Sequence, residues 1–548
     1  MRRSAWLVSS MLMVLLPQGC SWHGAAIGTG VAVTGLTFVA SRMNPLYFGR
    51  HASRDSIEQL RAAPFDVRIA YLELDDQGWF YGKERPRAVL DEVSALADSG
   101  NVALLVFVHG WRHNLSKGDT DVRAFRETAF ALGDLVNDRD FKALRFGASG
   151  DSNTTLVGIH VGWRGKMWPE MPVIPSARGK WSKVVNPFVS IANGLGVVAS
   201  IPVYCTFWSR KSAAERIGHG DLGEFLGALD ALYHRANRRS DRLMSMVVVG
   251  HSFGGQAVFD ATRERIEANF STAISKSMPD QGVHAGDWFY PDSVTAAQHP
   301  IDSIVRGFGD LVVLINPAIE AERYHRIDCL TRRLKYSPRQ QPVMLTVSAE
   351  NDKARLVFFP IGRFLSKFGS KTQKHSTQKD LMREALGSYE AQITHDLGLR
   401  DSTPDSVETA RRSIVELPRK APLPPANSVR EERQQREEVG REIANQKRFE
   451  YHGKLPAGSS DSTIASIQQQ IMLPSLDLKP RSQGRELVVA IPRAAARPGM
   501  PSKVMLADKR VIDGHSGFFR QEFIRWLALE VRRIQTVHFE DRKLERRK

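Results

Sequence analysis

Cysteine is scarce. The 548 residues hold only Cys20, Cys205 and Cys329, which excludes a disulfide-stapled scaffold and the paired Cys/His spacings of structural zinc sites. Cys205 and Cys329 would pair only in an oxidising compartment and read better as buried thiols. Long apolar runs are few, so the chain is not a multi-span membrane protein. Internal repeats are absent, which excludes solenoids and propellers. No nucleic-acid motif accompanies the net charge of +16. The lysines and arginines are scattered, as on a solvated surface, and no nucleic acid is expected as a partner; a basic face for anionic headgroups is the second reading. Arg532, Arg533, Arg542, Lys543, Arg546, Arg547 and Lys548 concentrate charge at the end, where 536–548 reads as a frayed basic tail. With 42% hydrophobic and 25% charged residues, the chain supplies a sizeable core for two units or one enlarged domain.

The N-terminus carries Arg2 and Arg3 before the apolar run Ala5–Leu16, the charged and apolar regions of a secretory signal. That run is too short to span a bilayer as a helix. Leu16-Pro17-Gln18-Gly19-Cys20 resembles a bacterial lipoprotein signal, which implies 1–20 as signal and Cys20 as the lipidated residue. Gly19 fits that pattern; Pro17 and Gln18 stand where it has leucine and a small residue. The apolar stretch Gly24–Ala40, loosened by Gly24, Gly28, Gly30 and Gly35, makes 21–65 a membrane anchor or a glycine-rich linker. The expected location is the cell envelope, on the periplasmic side, tied to the membrane through the N-terminus.

From residue 66 the pattern becomes regular. Val67–Leu74 with Trp79–Tyr81 reads as an opening antiparallel pair. Short apolar runs follow at Val102–Val108, Val157–Val161, Met246–Val249, Leu311–Ile315 and Val343–Val347, each suited to a parallel strand buried on both faces. Helical patterns over Val122–Val136, Phe225–Arg235 and Gly255–Ala268 alternate with them, which predicts a doubly wound, mostly parallel α/β sheet. Pro418, Pro422, Pro424 and Pro425 and the mixed charges of Arg430–Glu450 mark 400–484 as a charged, partly disordered insertion. The core is thus expected over 66–399 and 485–535, with strands at Leu487–Ile491 and Val504–Ile512 and a last amphipathic helix at Phe518–Ile534.

Gly250-His251-Ser252-Phe253-Gly254 fits G-x-S-x-G. The five residues alone are weak. Their context, a strand leading in and Gln256-Ala257-Val258-Phe259 starting a helix, makes Ser252 a candidate nucleophile on a tight strand-to-helix turn. Its structural alternative is a glycine-rich turn without chemistry. Leu104-Leu105-Val106-Phe107-Val108 runs into His109-Gly110-Trp111, a second strand-end turn. Acyl transfer needs two N–H groups aimed at one oxygen. Phe253 supplies one, and Gly110 or Trp111 the other. His109 reads as structural support beneath that loop.

Together these segments resemble the α/β-hydrolase superfamily of lipases and esterases, and Trp163-Arg164-Gly165 and Thr206-Phe207-Trp208-Ser209-Arg210-Lys211 look similar to bacterial members of it. The resemblance spans about residues 66 to 400 and 485 to 535, and implies an acid and then a histidine after later strands. In Ser348-Ala349-Glu350-Asn351-Asp352 the acid is Asp352, with Glu350 as runner-up. Asp260, two turns along the helix after Ser252, should point away. The histidine is His515 in Ile512-Asp513-Gly514-His515-Ser516-Gly517, with His395 as the rival whose other role is local structure. What this implies is a serine hydrolase cleaving a small-molecule or lipid carboxylic ester without metal or cofactor. Two alternatives share the fold: an acyltransferase or thioesterase with the same residues, and an inactive envelope binding protein.

Overall fold

The computed structural model describes residues 58–62, 65–111, 113–115, 119–137, 153–165, 210–238, 243–277, 299–300, 304–337, 339–352, 354–359, 381–400, 487–497 and 499–547. The signal segment with Cys20, the stretch Gly24–Ala40, Cys205 and the 401–484 insertion lie outside them. Among the described residues no helix is long and apolar enough to cross a membrane.

Among the described residues the strands follow in chain order: β1 Glu58–Ala62, β2 Phe65–Leu74, β3 Asn101–Val108, β4 Thr154–Trp163, β5 Met244–His251, β6 His299–Pro300, β7 Leu311–Ile315, β8 Leu334–Lys335, β9 Met344–Ala349, β10 His395–Arg400, β11 Leu487–Pro492 and β12 Ser502–Ala507. Among the described residues the helices that accompany them include α1 Glu84–Ser99, α2 Thr120–Asn137, α3 Asp221–Ala236, α4 Phe253–Ser277, α5 Ala321–Arg333 and α6 Gln521–Arg547. Ten strands form one sheet in the order β1-β2-β4-β3-β5-β7-β9-β12-β10-β11, and β6 and β8 form a small separate pair. From β2 through β10 every pairing is parallel; β1 and β11 are antiparallel edges. This is an α/β fold built on a mostly parallel sheet.

The β-branched runs occupy the middle of that sheet because both of its faces are covered. On one face Phe107, Val249, Val313 and Ile315 share a cluster with Phe125 of α2 and with Phe523 and Trp526 of α6. The intervening Val106, Val248, Val312 and Leu314 are equally buried, on the opposite face. Parallel neighbours need long crossovers, and the helices between strands supply them.

Several expectations need correction. The sheet starts inside the segment read as linker, since β1 lies within 21–65. Trp79–Tyr81 adds no second strand: Leu74 and Phe80 share a single antiparallel bridge, and β2 pairs instead with β1 and β4. The last parallel strand stops at Ala507, because Asp508 turns the chain by accepting the Arg510 N–H at 2.7 Å. Residues 536–547, read as a frayed tail, continue α6. The strand β10, for which the sequence reading has no counterpart, precedes the insertion and pairs with β11 beyond it.

Phe259 on α4 is completely buried. Phe259→Ala is expected to destabilise the fold by about 3–5 kcal/mol, read as a lower urea midpoint.

Candidate active site

The chain leaves β3 through α2 to reach β4 on one side, and leaves β5 through α4 to reach β7 on the other. The carboxyl ends of β3 and β5 therefore flank the point where the strand order reverses, the place where open α/β sheets form a crevice. Gly110 follows β3 and Ser252 follows β5. Asp352 follows β9 and His515 follows β12, so all four stand at one edge of the sheet.

Ser252 has φ of 55°, the left-handed region that non-glycine residues rarely occupy. The turn is held by its own backbone. Its N–H donates to the Ile315 carbonyl at 3.0 Å, and its carbonyl accepts from Gln256 N–H at 3.2 Å and Ala318 N–H at 3.1 Å. Helix α4 starts one residue later, so its positive end lies beside the hydroxyl. A side chain at Gly254 would overlap the Val108 carbonyl oxygen, which is why the motif ends in glycine.

The Ser252 Oγ lies 2.8 Å from His515 Nε2, and His515 Nδ1 lies 2.9 Å from Asp352 Oδ2. Asp352 is wholly buried. Its Oδ1 accepts the N–H groups of Ala354 at 2.9 Å and Arg355 at 3.2 Å. Burial alone would push this carboxyl up, but the His515 imidazole and the Arg355 guanidinium outweigh it and hold the carboxyl below its ordinary range. An ionised Asp352 only accepts, so His515 carries its proton on Nδ1 and offers Nε2 as acceptor to the serine hydroxyl. Arg355, in the π-helical turn Ala354–Phe358, stands with Nε 3.9 Å from Asp352 Oδ2. Its other nitrogens are tied to the Gly387 carbonyl, to Ser388 Oγ at 2.6 Å and to the Ala349 carbonyl at 2.6 Å.

The His515 loop is clamped from beneath. Asn316 Nδ2 donates to the His515 carbonyl at 2.7 Å and His251 Nε2 donates to the same oxygen at 2.8 Å. Asn316 Oδ1 accepts the Ala349 N–H at 2.7 Å, which links the end of β7 to the end of β9. Asn351 binds both Asp513 and the Gly514 N–H, each at 2.8 Å. Reading the sequence missed Asn316, His251, Asn351 and Arg355. The available signal was an asparagine directly after a buried strand, the residue type that tolerates the positive φ of 44° found at Asn316.

Gly110 is packed against the serine: a side chain there would come within 2.7 Å of Ser252 Cβ. Among the described residues, none accepts from the Gly110 N–H. Phe253, buried at the start of α4, and Trp111, one residue past Gly110, complete the expected donor set. His109 lies beneath. Its Nε2 accepts the Trp163 N–H at 3.1 Å, so its proton sits on Nδ1 and is donated to the Gly110 carbonyl at 2.8 Å. The Trp163 indole N–H returns to the His109 carbonyl at 2.9 Å. Farther along the loop, His113, Asp119 and Asp121 bring three metal-capable atoms within 4.8 Å, a grouping not anticipated from cysteine and histidine spacing. These groups pair with one another: His113 Nδ1 meets Asp119 Oδ1 at 3.0 Å, and Asp119 also accepts the Asp121 N–H at 2.9 Å, clasping the loop at the start of α2.

The rival residues stand elsewhere. Glu350 accepts the Lys509 N–H at 3.2 Å. His395, the first residue of β10, is buried with Nδ1 2.8 Å from Thr394 Oγ1. Asp260 pairs with Arg323 at 2.5 Å. Cys329 is buried, outside any disulfide among the described residues, with Sγ 3.4 Å from His325 Nε2. The fold and site define an α/β protein with a hydrogen-bonded serine–histidine–aspartate chain at its switch point. Comparison with family models, curated proteins and solved structures returned no significant match, so any closer assignment rests on geometry.

Burial, reinforced by His113, pushes His109 down to about 4, and burial pushes His395 down to about 3. Both fall below the ordinary imidazole value of 6.5, so between there and about 4 the unfolded chain binds protons that the native chain does not. Stability is therefore full above about pH 6.5 and falls as pH drops toward 4. The urea midpoint should be lower at pH 5 than at pH 7, and less so in His109→Gln. A midpoint independent of pH over this range would contradict neutral burial. Asn316→Ala, which removes one of the two donors to the His515 carbonyl and the acceptor of the Ala349 N–H, should cost about 1–3 kcal/mol in the same assay.

Proposed function

We propose that this protein is a serine hydrolase of the α/β-hydrolase type that cleaves carboxylic esters. The observation that carries the reading is the continuous chain from Ser252 Oγ through His515 to the buried Asp352, with both contacts below 3 Å. Three residues distant in sequence come together in the geometry that acyl transfer requires, and their chain order, serine then acid then histidine, is the one expected of the α/β-hydrolase pattern. His515 Nε2 takes the Ser252 proton as Oγ attacks the ester carbonyl. Asp352 orients the ring and stabilises the imidazolium. The developing oxyanion receives the N–H groups of Phe253 and of Gly110 or Trp111. Collapse expels the alcohol, protonated by His515, and water activated by the same imidazole releases the acid.

The same residues would serve an acyltransferase or thioesterase, which differ only in leaving group and acceptor. The N-terminal signal pattern and Cys20 favour an exported, membrane-tied protein acting on lipid or lipid-like esters in the cell envelope.

The test is fluorophosphonate labelling with p-nitrophenyl acetate turnover on the folded full chain. Ser252→Ala should abolish labelling. Turnover should fall about 10³-fold or more in His515→Ala and about 10²–10⁴-fold in Asp352→Asn. His395→Ala should retain both. A folded wild-type chain that neither labels nor turns over ester would sink the reading and favour an inactive binding protein.

A further inference from the structure

Two consecutive buried cations, Arg210 and Lys211, have no part in the acyl-transfer chemistry above. They belong to a helical segment over 210–219. Arg210 Nη1 and Nη2 meet the Asp76 carboxylate at 2.6 and 3.0 Å, and Nη1 also donates to the Arg164 carbonyl at 2.9 Å. Lys211 Nζ donates to Gln256 Oε1 and to Glu320 Oε2, each at 3.1 Å. Glu215 lies 3.7 Å from the same nitrogen and the Phe359 ring centroid 5.9 Å. Asp76 and Arg164 follow β2 and β4, while Gln256 and Glu320 follow β5 and β7. The pair therefore fastens the two sides of the reversal point to each other.

Lys211 also bears on the strained serine turn. The Ser252 carbonyl accepts the N–H groups of Gln256 and Ala318. Gln256 is wholly buried, and its Nε2 has no hydrogen-bond partner among the described residues, so the ammonium on Oε1 is the contact that orients the amide. Glu320 lies two residues past Ala318. One cation thus ties together side chains from the two segments whose backbones hold the Ser252 carbonyl. Stability does not account for this arrangement. Burying a lysine–glutamate pair costs desolvation that attraction repays only in good geometry, and apolar residues of similar volume often serve as well. What the pair supplies is fixed position.

We infer that Lys211 is a positioning residue for the turn Ser252–Phe253. It acts through Gln256 and Glu320, and none of its contacts is a reacting atom. By fixing both supports of the Ser252 carbonyl it keeps the N–H of Phe253, the residue after the nucleophile, aimed where the oxyanion develops. That catalytic consequence rests on the hydrolase reading above; the holding of the turn does not. An oxyanion donor contributes mostly in the transition state, so misplacing it lowers kcat and leaves KM nearly unchanged.

The test uses the full chain carrying Lys211→Met with Glu320→Gln, which removes both charges together; Glu215 keeps Arg323 as its partner at 3.2 Å. Circular dichroism and the urea midpoint establish that the double variant is folded. The first readout is hydrogen exchange followed by mass spectrometry, which needs no turnover. Exchange in the fragments carrying the Gln256 and Ala318 N–H groups should rise about tenfold or more, while exchange in α6 stays within about twofold of wild type. The second is p-nitrophenyl acetate turnover: kcat should fall about tenfold or more with KM within about twofold. Inhibition by phenylboronic acid, which forms a tetrahedral adduct on a reactive serine, should weaken in parallel. Gln256→Met should reproduce the fall in kcat, and combining it with the double variant should add less than about twofold, as for residues that act through one another. Unchanged local exchange in the folded double variant overturns the inference whatever the turnover. Raised exchange with kcat within about twofold of wild type overturns the catalytic consequence and leaves the hydrolase reading in place. Raised exchange in a protein whose wild type cleaves no ester supports Lys211 as the holder of the turn and sinks the hydrolase reading.

Discussion

One backbone hydrogen bond underlies the site. The Ser252 N–H donates to the Ile315 carbonyl at 3.0 Å and so extends the β5–β7 ladder by one residue into a turn whose φ is 55°. A left-handed serine is unfavourable by itself. It persists because the next strand holds its nitrogen, Gln256 and Ala318 hold its carbonyl, and the helix that starts at Phe253 has no freedom to relax. The strain is offset by these hydrogen bonds to β7, to the chain just beyond it and to α4. The hydroxyl is thereby presented at the sheet's edge instead of folding back onto the helix.

The remaining groups are held to that hydroxyl by polar contacts that span the sequence. Asn316 and His251 both donate to the His515 carbonyl, so the residues flanking β5 and β7 position a ring carried by a loop nearly 200 residues farther on, as the separation of 199 between Asn316 and His515 records. Asp352 accepts two backbone N–H groups on Oδ1 and faces His515 with Oδ2, and Arg355 behind it is itself tied to Ala349, Gly387 and Ser388. Such densely bonded networks in a low-dielectric interior are rigid, because loss of one member leaves a buried group unpaired. The His109–Trp163 exchange does the same for Gly110. Pre-set donors and acceptors of this kind need no reorganisation when charge develops.

Much of the sheet was legible because each central strand is a short apolar run buried on both faces, a pattern that survives without knowledge of its neighbours. Ser252 was legible for a related reason: two glycines and a strand–helix junction are local requirements. The strand β10 was not. His395-Asp396-Leu397-Gly398-Leu399-Arg400 is neither continuously apolar nor rich in β-branched residues, and it becomes a strand because β11 and β12 pair with it on either side. The final turns of α6 were read as tail because a basic run looks solvated wherever it occurs.

The sequence by itself determined the alternation of strands and helices, the strained serine turn and the candidates for its partners, because periodicity, glycine placement and residue chemistry act over a few neighbouring positions. Only the tertiary structure decided among those candidates. Asp352 stands against His515 while Glu350, two residues away, turns to the Lys509 N–H. His515 meets Ser252, whereas His395 is bonded to Thr394. That choice depends on strand order and on the clamp by Asn316, which bring together groups 163 and 263 residues apart. Distances across such separations are set by packing of the whole sheet, and no local pattern encodes them.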